Sequence, residues 1–188
     1  MIDVFQLLLI IPLVFVFLFF LFRTVIILFT MFTDVPYLPS CGAFKKAIKY
    51  LDIKDGDKVL DMGSGDGRVL LYASERYPDT DFVGIEKNPL LYIYSVILSK
   101  IFLRKNLKFY HGDFKKFNIS EFDAIYMYLL PKLVDEIIKE NLKNIKSGCR
   151  IVSFRFPLKG EVSWDNNIVK YPVKYGGKNE YIYQFIKK

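Results

Sequence analysis

The stretch ValLeuAspMetGlySerGlyAspGlyArg, residues 59–68, sets Gly63, Gly65 and Gly67 within five residues, directly behind an acidic residue that closes an apolar run. A glycine-rich turn between a strand and a helix brings backbone N–H groups close to a ligand. The spacing here is G-x-G-x-G, neither the G-x-G-x-x-G of a dinucleotide fingerprint nor a P-loop ending in GK[ST]. Asp61 and Asp66 bring two carboxylates to the same turn. They repel a pyrophosphate and favour a ligand that carries positive charge at that point. Glu86 follows Asp61 by 25 positions and ends a second apolar run, where an acidic side chain accepts from both hydroxyls of a ribose. A third run ends in His111-Gly112-Asp113. Asp113 is placed to accept from an adenine amino group, with Phe114 beside it to pack on the ring. S-adenosyl-L-methionine meets all three requirements: it is a nucleoside with an ammonium and a sulfonium and no phosphate.

These acids act together only if strands one, two and three end on the same side. The pattern predicts that arrangement. Strands are expected over 58–62, 81–86, 107–112, 123–129 and 149–156, and helices over 68–77, 89–105 and 132–145. Residues 167–175 and 181–187 read as a closing hairpin around GlyGlyLysAsn. Such alternation predicts an α/β fold with a doubly wound, mostly parallel sheet, whose ligands bind beyond the carboxyl ends of the strands. A short helix over 41–52 precedes it, capped from the linker AspValProTyrLeuProSer.

Ahead of this domain, residues 4–22 contain no charge and are almost entirely Leu, Ile, Val and Phe. A helix of that length covers about 28 Å, close to the roughly 30 Å hydrocarbon core of a bilayer. The start MetIleAsp has no basic charge, and small residues are lacking where a signal peptidase would cut, so a retained anchor is expected rather than a signal peptide. Pro12 leaves open a re-entrant hairpin in place of a single pass. Lys45, Lys46 and Lys49 follow the span while Asp3 precedes it, which puts the domain on the cytoplasmic side, or at an inner organelle membrane in a eukaryote. The expected division is anchor 1–33, linker and short helix 34–56, and catalytic domain 57–188. Residues 35–188 carry 26 basic and 18 acidic side chains, and with an anchor attached an anionic bilayer is the simplest partner for that excess. Cys41 and Cys149 have no metal-binding spacing, and no metal is expected.

The loop, together with GlyIleGluLysAsnPro (84–89), TyrMetTyrLeuLeuProLys (126–132), SerPheArgPheProLeu (153–158) and ValProTyrLeuProSer (35–40), resembles the class I methyltransferases of the adenine nucleotide translocase and ATP synthase c-subunit lysine methyltransferase family, over about residues 33–160. The resemblance implies the seven-stranded, Rossmann-like methyltransferase sheet, S-adenosyl-L-methionine as donor, and lysine methylation on a small membrane protein. It places donor-binding positions at Gly63, Ser64, Gly65, Gly67, Arg68, Lys87 and Asn88. Asp123 and Tyr126 form a D-x-x-Y pattern similar to that after strand four in lysine methyltransferases, although Asp123 begins the strand here. Tyr126 or Tyr128 offers a hydroxyl to orient the amine, and Tyr37 is either a lid over the donor or an interfacial aromatic. The lone histidine, His111, reads as structural. The Asn/Asp-Pro-Pro-aromatic motif of nucleic-acid amino methyltransferases is missing, so no nucleic acid partner is expected, and the chain is expected to be a monomer. Residues 90–103 are apolar almost all round, more than a sheet-packed helix requires, and their outer face is expected to meet the anchor or the bilayer. A lipid or quinone methyl acceptor, and a non-catalytic donor-binding module, are the alternative readings.

Overall fold

A computed structural model describes residues 3–31, 42–157 and 168–187 and divides the chain into two units, Met1–Leu38 and Pro39–Lys188. In the first, α1 runs unbroken from Val4 to Met31, through Pro12. Its 28 residues make it about 42 Å long, more than a hydrocarbon core needs. The two-segment hairpin left open by Pro12 is therefore not formed. Asp3, Gln6 and Thr24 are satisfied locally: Asp3 and Gln6 form a reciprocal capping box, with Gln6 N donating to Asp3 Oδ1 at 2.7 Å, and Thr24 Oγ1 donates to the Phe20 carbonyl at 2.9 Å. This is the one helix among the described residues long and apolar enough to cross a membrane.

The second unit is built on a seven-stranded sheet. In chain order its elements are α2 (Phe44–Tyr50), β1 (Lys58–Met62), α3 (Arg68–Arg76), β2 (Asp81–Glu86), α4 (Pro89–Ile101), β3 (Leu107–His111), β4 (Ala124–Met127), α5 (Pro131–Asn141), β5 (Arg150–Phe154), β6 (Val169–Tyr175) and β7 (Lys178–Ile186). The strand order is β3-β2-β1-β4-β5-β7-β6, parallel except at β7, which runs antiparallel to both neighbours. The order reverses between β1 and β4, the switch point at which a doubly wound sheet opens a crevice. The expected fold class is thus observed.

The strands at the centre are buried on both faces, as parallel strands between helix layers must be. Leu60, Met62, Ile125, Met127 and Ile151 pack with Val134 and Ile137 of α5. Val59, Ala124, Tyr126, Val152 and Phe154 pack on the opposite face with Ala47 and Ile48 of α2 and Leu70 and Ala73 of α3. Asp61 shares the parity of Val59 and so points to the α2–α3 side.

Most element ends shift from expectation by one to four residues, β4 stopping at Met127 and α4 at Ile101, and two of the shifts have a clear local cause. The closing hairpin turns on Gly176-Gly177 alone, with φ of +54° and +77°, the two positive values that a two-residue type I′ turn requires. Lys178 and Asn179 therefore belong to β7, opposite Tyr175 and Lys174. At the other end, α2 begins after Ala43, which makes no side-chain capping bond; Ser40, the expected cap, lies outside the described residues, as does Cys41. Cys149 is a packed core residue, its thiol pKa pushed up to about 12 by burial.

Candidate active site

β1 delivers Asp61 to the switch point, and the chain then turns through Gly63–Gly67 into α3. Gly63, Gly65 and Gly67 all have positive φ (+76°, +56° and +76°), a conformation that costs an L side chain roughly 1–2 kcal/mol per residue. The amides of Gly63 and Ser64 donate to the Ile85 carbonyl at 2.9 and 3.0 Å, fastening the turn to β2. Gly63 also has the nearby Leu129 side chain over it, 2.8 Å from where a Cβ would stand. The LeuLeuPro element after β4 therefore touches the glycine loop directly.

The carboxylates of the loop fall into two kinds. Asp66 is answered within the turn, where Arg68 Nε donates to both of its oxygens at 2.8 Å. Asp61 is not. It is buried, and its Oδ2 has no hydrogen-bond partner. Burial first, then the charges of Glu86 and Asp66, hold its pKa well above the usual carboxylate range. A phosphate placed here would add a further like charge, whereas an ammonium group would relieve the site.

Glu86 ends β2 with one oxygen accepting from Gly65 N and the other from Asn88 N, each at 2.8 Å. Burial raises its pKa, and these amide donors oppose the rise. Each oxygen keeps a lone pair for a ligand hydroxyl. Asn88 caps α4 through Oδ1, which accepts from Leu90 N at 2.9 Å and Leu91 N at 3.3 Å, with Pro89 at the first helical position. Its Nδ2 is buried and unpartnered, as is Ser64 Oγ. Unmatched groups around Asp61, Ser64 and Asn88, next to a glycine turn with two lone-pair sites on Glu86, fit a polar, cationic nucleoside. Lys87 is exposed, and its carbonyl accepts from His111 Nε2 at 3.0 Å, a structural use of the lone histidine.

Other expected positions stand differently. Asp113 Oδ1 accepts from Lys115 N at 3.0 Å and so caps the short 3-10 turn Phe114–Lys116. Phe114 is buried in the cluster that holds Met62 and Ile85 rather than open beside the loop. Asp123 is the clear correction. It lies just before β4, at the amino end of the sheet, accepting from Lys58 N at 2.9 Å and paired with Lys146 at 2.5 Å. The buried Arg150–Asp57 pair (2.5 Å) lies at the same end. Asp123 thus belongs to a polar cluster that pins strand ends together and is a strand length away from the switch point. Tyr37 lies outside the described residues.

Tyr126 and Tyr128, by contrast, are brought to the loop side. Tyr126 is Asp61's partner in the β1–β4 register, only 1% exposed, with a hydroxyl that has no partner. Burial and then the Asp61 charge hold that hydroxyl protonated. Tyr128 is half-buried beyond the strand end, edge-on to Phe154 at 4.8 Å between centroids. Its hydroxyl accepts from Arg155 Nη1 at 3.4 Å. Arg155 has φ +69°, a strained value for a side-chain-bearing residue, and its guanidinium pairs with Glu180 of β7 at 3.0 Å. Neither Arg155 nor Glu180 is singled out by the sequence. Arg155 stands within the SerPheArgPheProLeu element, but Glu180 has no local signal at all.

Comparison with known proteins agrees with this geometry. Residues 61–164 match the family described as ANTKMT methyltransferase domain. A protein-lysine N-methyltransferase of Saccharolobus islandicus is 28% identical over 156 residues, covering 81% of this chain and 93% of that protein. The lysine N-methyltransferase of the ATP synthase c-subunit from Xenopus laevis is 28% identical over 125 residues, covering 65% of this chain and 54% of that protein. The chain thus matches about half the length of the vertebrate relative. Among solved structures, an RNA methyltransferase from Salinibacter ruber, in complex with S-adenosyl-L-homocysteine, superposes with a TM-score of 0.67 at 25% identity, over 81% of this chain and 94% of that one. With its glycine turn, its acids at the ends of β1 and β2 and its 3-2-1-4-5-7-6 sheet, the chain belongs to the ANTKMT methyltransferase domain family.

Proposed function

We propose that the chain is a membrane-anchored methyltransferase that uses S-adenosyl-L-methionine to methylate the side-chain amine of lysine in a membrane-associated protein. The observation that carries the donor assignment is the buried Asp61 carboxylate with an unpartnered Oδ2 at the switch point. Support for a lysine acceptor comes from the family and from the names of the archaeal and vertebrate relatives. The span-length α1, with Asp3 before it and Lys45, Lys46 and Lys49 after it, supports an anchor with the domain on the cytoplasmic face, or at an inner organelle membrane in a eukaryote.

In this reading Asp61, Ser64 and the glycine turn hold the amino-acid end of the donor, and Glu86 holds the ribose. Bound S-adenosyl-L-methionine supplies an electrophilic methyl group on a sulfonium. The protein's own task is to present a neutral amine to it. Lysine starts near a pKa of about 10.4, and an apolar channel beside a positive charge favours the uncharged form. Tyr128 is held by Arg155, which donates to its hydroxyl, so that the hydroxyl oxygen or proton is steered to the acceptor amine. Tyr126 lies behind it, next to Asp61, where it shapes the floor of the site. Alignment contributes most of the acceleration in such a scheme, and no strong base is required. Tyr128→Phe is expected to lower kcat/KM for the protein acceptor by about tenfold, the worth of one hydrogen bond, with donor affinity unchanged. Steady-state kinetics beside a donor-binding isotherm measures both.

Membranes incubated with the full chain and methyl-labelled donor test the acceptor class. Label in the protein pellet is expected. Label in the lipid extract would retire the protein acceptor while leaving methyl transfer in place.

A further inference from the structure

The far edge of the sheet carries a surface that donor binding does not use. Ile93, Ile97 and Ile101 of α4 are spaced four residues apart and form an exposed stripe about 12 Å long, opposite the buried Leu91 and Ser95. Phe102 and Leu103 extend it beyond the helix end. There Arg104 N donates to Ser99 O at 3.0 Å and Leu103 N to Lys100 O at 3.1 Å, a helix stop whose left-handed position usually holds glycine. Leucine occupies it instead, at φ +51° and 81% exposed. Strain that presents a large apolar side chain to solvent is unexplained by anything within the domain.

Beside the stripe lies a groove of about 610 Å³ lined by Tyr92, Val96, Lys100, Leu103, Lys105 and Lys108 among others. An apolar ridge flanked by lysines has the chemistry of an anionic bilayer surface, with hydrocarbon below a layer of phosphates. RNA fits less well: Phe102 and Tyr110 offer rings to a base, but four of the five ridge residues, Ile93, Ile97, Ile101 and Leu103, are aliphatic and match acyl chains rather than bases.

We propose that the α4–β3 edge is a docking surface for an anionic phospholipid bilayer. Ile93, Ile97, Ile101, Phe102 and Leu103 enter the boundary between headgroups and acyl chains, and Lys100, Lys105 and Lys108 meet the lipid phosphates. This extends the reading of α1 as an anchor: α1 holds the chain at the membrane, and the edge sets the tilt of the domain upon it.

The test uses the full chain in phosphatidylcholine nanodiscs, with and without phosphatidylglycerol, and follows hydrogen exchange of the amides from 93 to 108. Slower exchange is expected in the anionic discs. At about fivefold per lysine, K100Q/K105Q is expected to weaken that protection by roughly 30-fold, and I97E/I101E to remove it, with donor affinity unchanged in both. Equal exchange in both discs, or protection that appears only on adding polyuridylate, overturns the proposal. A chain that enters both discs with α4 unprotected sinks the docking edge and keeps the anchor. One that joins anionic discs only, and leaves them at high salt, sinks the anchor and keeps the edge. Association with neither disc sinks both.

Discussion

Asp61→Asn is expected to abolish methyl transfer and, at the same time, to stabilise the free protein at neutral pH. The two effects come from one atom. The Asp61 carboxylate is buried without a partner for Oδ2, so it stands ready for a cation. Removing one member of a buried charge pair costs about 3–5 kcal/mol, so donor affinity should fall by about 10²–10⁴-fold. The stability effect has the opposite sign. Folding raises the pKa of Asp61, chiefly through burial, so the folded state holds that proton more tightly than the unfolded chain does. Its contribution is fully present below the unfolded value of about 3.9 and is lost as pH rises through the folded value. Above that range the ionised group is a cost to the free protein. Replacing it with a neutral isostere should recover about 1–3 kcal/mol at pH 8 and little at pH 4, with each kcal/mol read as a Tm rise of roughly 2–4 °C. The same linkage makes donor binding in the natural protein tighten with rising pH until Asp61 is ionised, and Asp61→Asn should flatten that dependence. Calorimetric titration and thermal melts at two pH values check all of this. An unchanged affinity in the variant would show that the cation is held elsewhere.

Gly67→Ala is expected to be the most damaging single methyl in the domain. Gly67 has φ +76°, and a Cβ there would stand 2.6 Å from Phe109 Cζ and 2.8 Å from Ser95 Cβ. The backbone term is about 1–2 kcal/mol and overpacking adds about 1–3 kcal/mol. The two sites that isolate these terms are Gly56 and Gly84. Gly56 has φ +81° with nothing within 4 Å of a Cβ, so Gly56→Ala should show the backbone cost alone. Gly84 lies within β2, and its Cβ would approach the Phe109 ring to 2.5 Å, so Gly84→Ala should show mainly the clash. Urea unfolding of the three variants should rank Gly67 as the worst and place its loss near the sum of the other two. A Gly67 loss no larger than that at Gly56 would mean that Phe109 moves aside without cost.

Much of this site is legible in the residues alone. β1, its glycine turn and the acid at the end of β2 are local features: an apolar run, a residue type that tolerates positive φ, and a carboxylate at a strand end. The limits are equally physical. Asp66 reads as a second carboxylate open to a ligand, because a sequence does not show that a tight turn folds Arg68 back onto it. Asp123 fits a family pattern by spacing, but the pairing of Asp123 N with Lys58 O fixes it at the amino end of the sheet, and register is a property of two strands. Arg155 and Glu180 meet only because β7 returns antiparallel beside β5, a contact between distant segments with no periodicity to announce it.

The central claim is that the acidic turn serves transfer of a methyl group to lysine nitrogen. The most direct measurement is acid hydrolysis of protein labelled by the full chain from methyl-labelled S-adenosyl-L-methionine, followed by amino-acid analysis. Label is expected as Nε-methylated lysine, and none with Asp61→Asn. Label recovered as methylarginine or released as a base-labile ester would contradict it, as would undiminished methyl-lysine in the Asp61 variant.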